Sequence, residues 1–143
     1  ARAVLRIDPK LGEASSFGDF GTEARKWAHG LVGIDGQIYG VPSSATAVLR
    51  IDPVGSVASA NLGQGLPNDD FKWSMGVAAS DGKIYCIPRA SQEVLRIDPL
   101  AGKIDLFGSL SNGKWKWQYG VLAPDGLIYA IPSSASHVLR INP

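Results

Sequence analysis

Short apolar runs, rather than long amphipathic stripes, mark this chain from end to end. Turn-forming residues separate the runs at intervals of about eight to twelve residues, which is typical of an all-β chain. No segment sustains the apolar period of about 3.6 residues that an amphipathic helix requires. The pattern therefore predicts antiparallel sheets built from short strands.

The apolar runs belong to an internal repeat. The segment Val-Leu-Arg-Ile-Asp-Pro begins at residues 4, 48 and 94, and it begins again at residue 138 with Asn142 in place of the Asp. Two other elements keep the same phase. Lys-Trp-x-x-Gly begins at residues 26, 72 and 116, and Asp-Gly-x-Ile-Tyr begins at residues 35, 81 and 125. Three elements in one phase establish a repeat of about 45 residues.

Each repeat predicts four strands, which we call a, b, c and d. Strand a is predicted at 30–34, 76–79 and 120–123, strand b at 37–41 and its copies, strand c in the Val-Leu-Arg-Ile segments, and strand d at 13–17, 57–62 and 103–107. Four antiparallel strands in about 45 residues form one blade of a β-propeller, close to the length of a WD40 repeat. One blade cannot bury its faces alone, so stability must come from the packing of neighbouring blades.

The predicted fold is an all-β β-propeller with about three four-stranded antiparallel blades, in a single segment over 1–143. The repeats run approximately over 4–47, 48–93 and 94–137, and a further strand covers 138–143. A ring of six or seven blades would need about 270 to 315 residues at this period. We therefore expect the chain to be part of a six- or seven-bladed ring in a longer protein, with a self-closing half-propeller as the second choice.

Two turn signals separate the strands. Asp-Gly between strands a and b predicts a two-residue type I′ hairpin, because Gly accepts a positive φ. Between strands c and d, the segment 52–55 (Asp-Pro-Val-Gly) predicts a type I turn whose Asp side chain caps backbone N–H groups. The segments after Asp8 and Asp98 place their Gly one residue later. A longer or bulged turn is therefore predicted in those two copies.

Charge and cysteine content exclude several classes of function. Fourteen Lys and Arg residues against thirteen Asp and Glu residues leave a formal charge of +1. This balance predicts neither a nucleic-acid partner nor a polybasic membrane patch, and no apolar run is long enough to span a bilayer. The single cysteine, Cys86, allows neither an internal disulfide nor a site built on a cysteine pair. It leaves the compartment unassigned.

The repeat resembles known propeller blades. The segments Arg50-Ile51-Asp52-Pro53 and Asp81-Gly82-Lys83-Ile84-Tyr85, with a Gly before strand d, resemble the blades of virginiamycin B lyase-like and NHL-like propellers. Uncharacterised repeat proteins of algae and protists are similar as well, and tachylectin-type sugar-binding propellers are similar less closely. The lyase resemblance implies catalysis by a histidine and a metal ion, but no motif in this chain matches those residues.

The candidate binding residues lie near the predicted beginning of strand a. They are the Lys-Trp pairs, the variable position after each pair, and one extra tryptophan: Lys26, Trp27, His29, Lys72, Trp73, Met75, Trp115, Lys116, Trp117 and Tyr119. A row of indole rings could stack on sugars or contact a peptide, or each ring could instead pack between blades. Trp115 stands where the other repeats carry Arg25 and Phe71, so it suits a contact anchor better than a repeated packing role.

The sequence predicts no catalytic residue, no cofactor and no metal site. It contains no P-loop, dinucleotide-binding turn, EF-hand loop or Ser-His-Asp order. Zinc takes three or four ligands, whereas His29, His137 and Cys86 are the only N or S donors of the usual types. The arginine of strand c is predicted to pair with the Asp two residues later, which lies on the same strand face, or with carbonyl groups of a neighbouring blade.

Three functions follow from this reading. A constant blade framework with variable d-to-a loops predicts a non-enzymatic binding or scaffold propeller that holds a protein partner, such as an accessory subunit of a larger complex. One Lys and one Trp in each repeat favour a carbohydrate-binding propeller as the alternative. A lyase- or hydrolase-type enzyme is the second alternative, and it would need catalytic residues outside this segment.

Overall fold

The computed structural model describes all 143 residues, and every regular element is a β-strand. The thirteen strands are β1 (Val4–Asp8), β2 (Glu13–Phe17), β3 (Trp27–Val32), β4 (Ile38–Pro42), β5 (Val48–Asp52), β6 (Val57–Leu62), β7 (Trp73–Ala78), β8 (Ile84–Pro88), β9 (Val94–Asp98), β10 (Lys103–Phe107), β11 (Trp117–Leu122), β12 (Ile128–Pro132) and β13 (Leu139–Ile141). The all-β prediction is confirmed. No helix capable of crossing a membrane is present.

The strands form four antiparallel sheets, which we number in chain order. The first sheet pairs β1 with β2, the second contains β3 to β6, the third β7 to β10, and the fourth β11 to β13. Within each sheet, neighbours along the chain are neighbours in space. The second and third sheets are thus complete four-stranded blades, as the repeat predicts.

The sheets fan outward from their first strands. Strand β3 contacts β7, and β7 contacts β11, so the inner strands lie side by side around one axis. One apolar cluster fills the space between the second and third sheets, and another fills the space between the third and fourth sheets. This is the arrangement of propeller blades, and it confirms the predicted fold.

Each sheet has two packing faces, because side chains alternate along a strand. We call the face toward the preceding sheet the leading face and the opposite face the trailing face. Between the second and third sheets, the trailing side supplies Tyr39, Val41 and Val48, and the leading side supplies Trp73, Ile84, Cys86, Leu95 and Ile97. The next interface repeats this with Val77, Tyr85, Ile87 and Val94 against Trp117, Ile128, Ala130 and Ile141.

Strand a begins at the tryptophan and not, as predicted, at the following glycine. The pairing register shifts just after Trp27, Trp73 and Trp117 in their respective sheets. Such a bulge interrupts the alternation from which a strand is recognised in a sequence. The predicted d strands, in contrast, match β2, β6 and β10 residue for residue.

The type I′ prediction for the Asp-Gly turn is wrong. The Gly33 carbonyl accepts the Gly36 N–H at 3.0 Å, and Gly36 has a φ of 79°, whereas Asp35 is not left-handed. The loop is therefore a type I turn closed by a glycine bulge. The Asp35 carboxylate accepts the Gln37 N–H at 3.2 Å and the Tyr39 O–H at 2.8 Å. These two bonds explain why Asp, Gly and Tyr recur together.

The capping of the c–d turn by aspartate is confirmed. Asp52 Oδ1 accepts the N–H groups of Val54 and Gly55 at 2.9 and 3.2 Å. The predicted longer turn in the other two copies is wrong, because the strands of all three copies are joined by loops of equal length: Asp8 pairs with Glu13, Asp52 with Val57, and Asp98 with Lys103.

The copies differ in which residue takes the left-handed position of that turn. Gly12 and Gly102 fill it with φ values of 69° and 61°, and Ser56 fills it in the middle copy with a φ of 52°. In the middle copy the glycine, Gly55, stands one residue before this left-handed position. The other two copies therefore look one residue longer in the sequence although their turns have the same length.

The arginine of strand c bonds across the third sheet. Arg96 Nε and Nη2 donate to the Asp105 carboxylate at 2.9 and 2.6 Å, and Asp105 is its register partner on β10. The prediction that it pairs with Asp98 along its own strand, or with carbonyl groups of a neighbouring blade, is wrong for this residue. The cross-strand bond ties the outermost strand to the sheet.

Candidate functional site

The loops that join strand b to strand c, and strand d to the next strand a, lie at the same end of the sheets. We call this end the loop face; the a–b and c–d turns lie at the other end. The b–c loops cover 43–47, 89–93 and 133–138, and the d–a connections cover 18–26, 63–72 and 108–116. Every candidate from the sequence lies in these segments or within three residues of them.

The repeated lysine joins each sheet to the one before it. The Lys72 N–H donates to the Ser43 carbonyl of the second sheet at 3.0 Å, and the Lys72 carbonyl accepts the Arg89 N–H of the third sheet at 2.9 Å. Lys116 repeats the arrangement: its N–H donates to the Arg89 carbonyl, and its carbonyl accepts the Ser133 N–H. The lysine backbone is thus the bridge between successive b–c loops.

The lysine ammonium groups point into this backbone and not toward solvent. Lys72 Nζ donates to the carbonyls of Ser43 and Asp69 at 3.0 and 2.9 Å, and Lys116 Nζ donates to those of Ser91 and Ser111 at 2.7 and 2.9 Å. Both side chains are buried. Burial lowers the pKa of both ammonium groups, although nearby Asp69 and Asp70 partly oppose this at Lys72. Neither has a free donor surface for a ligand.

Lys26 makes the same type of contact at the first sheet. Its Nζ donates to the carbonyls of Ala1, Gly21 and Glu23 at 2.9, 3.1 and 2.8 Å. Ala1 stands at the position that Ser91 holds in its repeat, so the bond from the lysine to the preceding b–c loop is kept. All three lysines therefore hold loops together.

The repeated tryptophans lie within the sheets. Trp27, Trp73 and Trp117 donate their indole N–H to the carbonyls of Ala47, Glu93 and His137, at 3.0, 2.9 and 2.9 Å, just before strand c of the same sheet. Trp73 and Trp117 are buried, and Trp27 is half-buried with its ring edge-on to Phe20. The two buried rings offer no stacking surface to a ligand.

The variable position on strand a contacts the next sheet. The Gly76 N–H donates to His29 Nδ1 at 3.4 Å, and the Gly120 N–H approaches Met75 Sδ at 3.3 Å. Tyr119, the third residue at this position, belongs to the last sheet and is exposed. A histidine and a methionine thus contact the same group, the N–H of the strand-a glycine in the following sheet.

A row of side chains crosses the loop face at the position just before each lysine. Arg25, Phe71 and Trp115 all have left-handed backbones there, with φ values of 55°, 57° and 61°. Such a conformation is rare for residues other than Gly and costs about 1–3 kcal/mol, so its repetition calls for a reason. It projects three side chains next to one another at the mouth of the propeller.

Arg89 joins this row from the b–c loop of the third sheet. Its guanidinium carbon lies 3.5 Å from the ring centroid of Trp115 and 5.0 Å from that of Phe71. The Arg25 guanidinium carbon lies 5.1 Å from the ring centroid of Phe71, and the ring centroids of Phe71 and Trp115 are 5.5 Å apart. We call these four alternating cations and rings, Arg25, Phe71, Arg89 and Trp115, the arginine–aromatic ladder.

The ladder combines a buried guanidinium nitrogen with an exposed indole ring. Arg89 Nε is buried and has no hydrogen-bond partner, and burial lowers the pKa of its guanidinium. Trp115 remains 45% exposed although its neighbours stack on it. Cation–aromatic stacking fixes these flat groups in place, so they are already ordered when a partner arrives.

An open cavity of about 1250 Å³ adjoins the ladder. Its walls include Asp69, Asp70, Gln92, Asn112, Lys114 and Trp115, so it is predominantly polar with an aromatic side. No three His, Cys, Asp or Glu side chains converge into a group that could hold a metal ion. Cys86 lies in the core, where burial raises the pKa of its thiol.

Sequence reasoning found Trp115 but not the rest of the ladder. Arg25 and Phe71 are its equivalents in the repeat and were not predicted as binding residues, and Arg89 stands where the other copies have Ser43 and Ser133. A usable signal did exist: all four are large side chains that replace one another, or replace a serine, at fixed loop positions of an otherwise constant repeat.

No family model matches the sequence, and no curated protein is similar to it. The fold, however, matches virginiamycin B lyase from Staphylococcus aureus with a TM-score of 0.79 at 16% identity, over 99% of this chain and 46% of the lyase. Hydrazine synthase from Kuenenia stuttgartiensis matches with 0.72 at 16% identity, over 99% and 40%. An auxiliary nutrient-binding protein from Bacteroides ovatus matches with 0.62 at 15% identity, over 98% and 33%.

These similarities concern the fold. They confirm the resemblance to virginiamycin B lyase-like blades, and at 15% to 16% identity they extend no further than the architecture. The chain spans less than half the length of each of the three structures. An enzyme and a binding protein both occur among them, so the fold is compatible with more than one activity.

Proposed function

We propose that this chain is a non-enzymatic binding propeller that holds a protein partner on its loop face. The arginine–aromatic ladder is the observation that supports this most directly. Trp and Arg are the residue types most enriched at the energetic centres of protein interfaces. Here they are pre-ordered by stacking, and one ring is 45% exposed. The surrounding loops differ between repeats, as surfaces that select a partner do.

The buried lysines and tryptophans supply the rigid support for this surface. Lys72 and Lys116 hold the d–a connections onto the b–c loops, directly beside the left-handed residues Phe71 and Trp115. A binding group on a fixed backbone loses less entropy on association than one on a free loop. These lysines therefore act as positioning residues for the ladder.

The test is capture of a partner with matched variants of the whole chain. Wild type, Trp115→Ala and Arg89→Ala are compared with Leu100→Ala, which removes an exposed apolar residue in a c–d turn at the opposite end of the sheets. A stoichiometric partner should be retained at physiological salt by wild type and Leu100→Ala. An interface anchor costs at least about 2 kcal/mol when truncated, so Trp115→Ala should weaken binding by about 30-fold or more. Recovery of no partner, or equal binding by all variants, contradicts the proposal.

The polar cavity supports a second candidate, carbohydrate binding. A sugar needs hydrogen-bonding side chains together with an aromatic face, and Gln92, Asn112 and Trp115 all line this cavity. Tryptophan fluorescence measured against a panel of glycans tests it. The signal should shift in wild type and fail to shift in Trp115→Phe; fluorescence unmoved by every glycan removes this candidate.

A further inference from the structure

Arg89 is a half-buried arginine without an acidic partner. Of the seven arginines in the chain, five are exposed, and Arg89 and Arg96 are half-buried. Arg96 donates two hydrogen bonds to the Asp105 carboxylate, at 2.9 and 2.6 Å. Arg89 forms none of the three salt bridges of the structure, and its Nε has no hydrogen-bond partner. Since a charge partly removed from water is unfavourable unless it is paired, Arg89 is the arginine with an unfilled requirement for an anion.

Stacking on Trp115 leaves the outer N–H groups of Arg89 free. The Arg89 guanidinium carbon lies over the Trp115 ring, 3.5 Å from its centroid. The N–H groups of a guanidinium point outward in its own plane, so a ring against its flat face uses none of them. Nε is the only one of the three nitrogens that is buried without a partner. A ligand can therefore reach Nη1 and Nη2, at the outer end of the guanidinium.

The second arginine of the ladder places another positive charge beside the same ring. The guanidinium carbons of Arg25 and Arg89 lie 5.1 and 5.0 Å from the ring centroid of Phe71. Arg25 likewise forms no salt bridge. Asp69 and Asp70, the two residues before Phe71, line the adjoining cavity and pair with neither arginine. Two cations thus share one aromatic ring without a carboxylate bonded to either of them.

These contacts lie between sheets that are all present in the chain. Phe71 leads into the third sheet, Arg89 belongs to the b–c loop of that sheet, and Trp115 leads into the fourth sheet. The third sheet has the second sheet on one side and the fourth sheet on the other. The stacking of Arg89 therefore depends on neither end of the chain.

We propose that the protein partner places an acidic side chain, Asp or Glu, against Arg89, whose Nη1 and Nη2 bind its carboxylate. The inference rests on the proposed function, since it names the chemistry of the partner that the loop face holds. A carboxylate and a guanidinium fit each other through two parallel N–H···O bonds. The ring of Trp115 already fixes the plane of the guanidinium, so little entropy is lost when the carboxylate arrives. The partner thus gives Arg89 what Asp105 gives Arg96.

Selection of short random peptides on the whole chain tests this inference. In one library both peptide termini are blocked, so Asp and Glu side chains are its only carboxylates; in a second library the C-terminal carboxylate is free. Blocked peptides retained by wild type should share an Asp or Glu at one position. Arg89→Gln should weaken their binding by about 10- to 100-fold, because hydrogen bonds between charged groups are lost. Arg50→Gln removes the same charge from an exposed arginine in no salt bridge, near the turns at the opposite end of the sheets, and should leave binding unchanged.

Changing the peptide separates the ion pair from a change in the fold. On wild type, replacing the shared acidic residue of the peptide by its amide should lose as much affinity as Arg89→Gln loses with the acidic peptide. Combining the two changes should lose no more than either alone, as expected for two groups that bind each other. Equal binding of the acid and amide peptides by wild type overturns the inference, even if Arg89→Gln does not fold.

The outcomes distinguish this inference from the proposed function. Blocked peptides that bind without a shared acidic residue, or that bind Arg89→Gln as tightly as wild type, overturn the acidic side chain but leave a protein partner in place. Retention only from the library with a free C-terminus overturns it as well. If neither library is retained, the inference fails, whereas the proposed function fails only when the capture experiment also recovers no partner.

Discussion

Replacing Trp73 by Phe measures how much the repeated indole contributes to the packing of one blade on the next. The ring is buried, and its N–H donates to the Glu93 carbonyl at 2.9 Å. Phe cannot replace that bond, and a buried acceptor without a partner costs about 1–3 kcal/mol. The smaller ring also leaves a void of roughly 40 Å³, which costs about 1 kcal/mol. We expect Trp73→Phe to lower the free energy of unfolding by about 2–4 kcal/mol.

The same substitution at two other tryptophans supplies the controls. Trp27 makes the equivalent bond but is half-buried, so Trp27→Phe should cost about 1–2 kcal/mol. Trp115 is exposed, and its replacement by Phe should stay within about 0.5 kcal/mol. Urea unfolding followed by far-ultraviolet circular dichroism, which does not depend on the removed fluorophore, gives all three values. If Trp73→Phe were as stable as wild type, or Trp115→Phe the least stable, the packing role would be refuted.

Three smaller predictions follow from particular contacts. Ser56→Gly should stabilise the chain by about 0.5–1 kcal/mol in urea unfolding, since relief of left-handed strain exceeds the entropy cost of Gly; a lower midpoint would contradict this. Acrylamide should quench mainly Trp115, so Trp115→Phe should remove most of the quenchable emission. Two hydrogen bonds lower the pKa of the Asp125 carboxyl below its ordinary value of 3.8: the larger effect comes from the Tyr129 hydroxyl and the next from the Leu127 N–H. The stability that the Tyr129 bond contributes is therefore present above pH 3.8 and is lost as the pH falls through the pKa of Asp125 in the folded chain. Tyr129→Phe should therefore differ from wild type in stability at neutral pH and converge with it in acid.

Local signals in the sequence were sufficient for most of the fold. The Val-Leu-Arg-Ile-Asp segments occupy β1, β5 and β9, and the aspartate that begins each c–d turn caps it through its side chain. Pro, Gly and Asp act within a few residues of their own position, so the positions of the turns could be derived from the chain alone, although the type of the Asp-Gly turn and the length of two c–d turns were predicted wrongly. The phase of the repeat then determined the order of strands within each sheet.

Two of the errors, the start of strand a and the partner of Arg96, arose where geometry depends on a partner strand. The bulge after Trp73 is a mismatch between β7 and β8, and the pairing of Arg96 with Asp105 is set by register across β9 and β10. Neither can be derived from one strand alone. The ladder was missed for the same reason, because Arg89 and Trp115 are 26 residues apart in sequence and meet only when the third and fourth sheets pack.

The central claim is that each sheet is stabilised by the sheets on either side of it, and hydrogen exchange tests it most directly. Strands β1, β5 and β9 have the same five-residue sequence, so their unprotected amides exchange at similar rates and differences report their surroundings. We predict that β9 exchanges most slowly, β5 next and β1 fastest, in the order of their burial. Equal protection of the three identical strands would contradict the account.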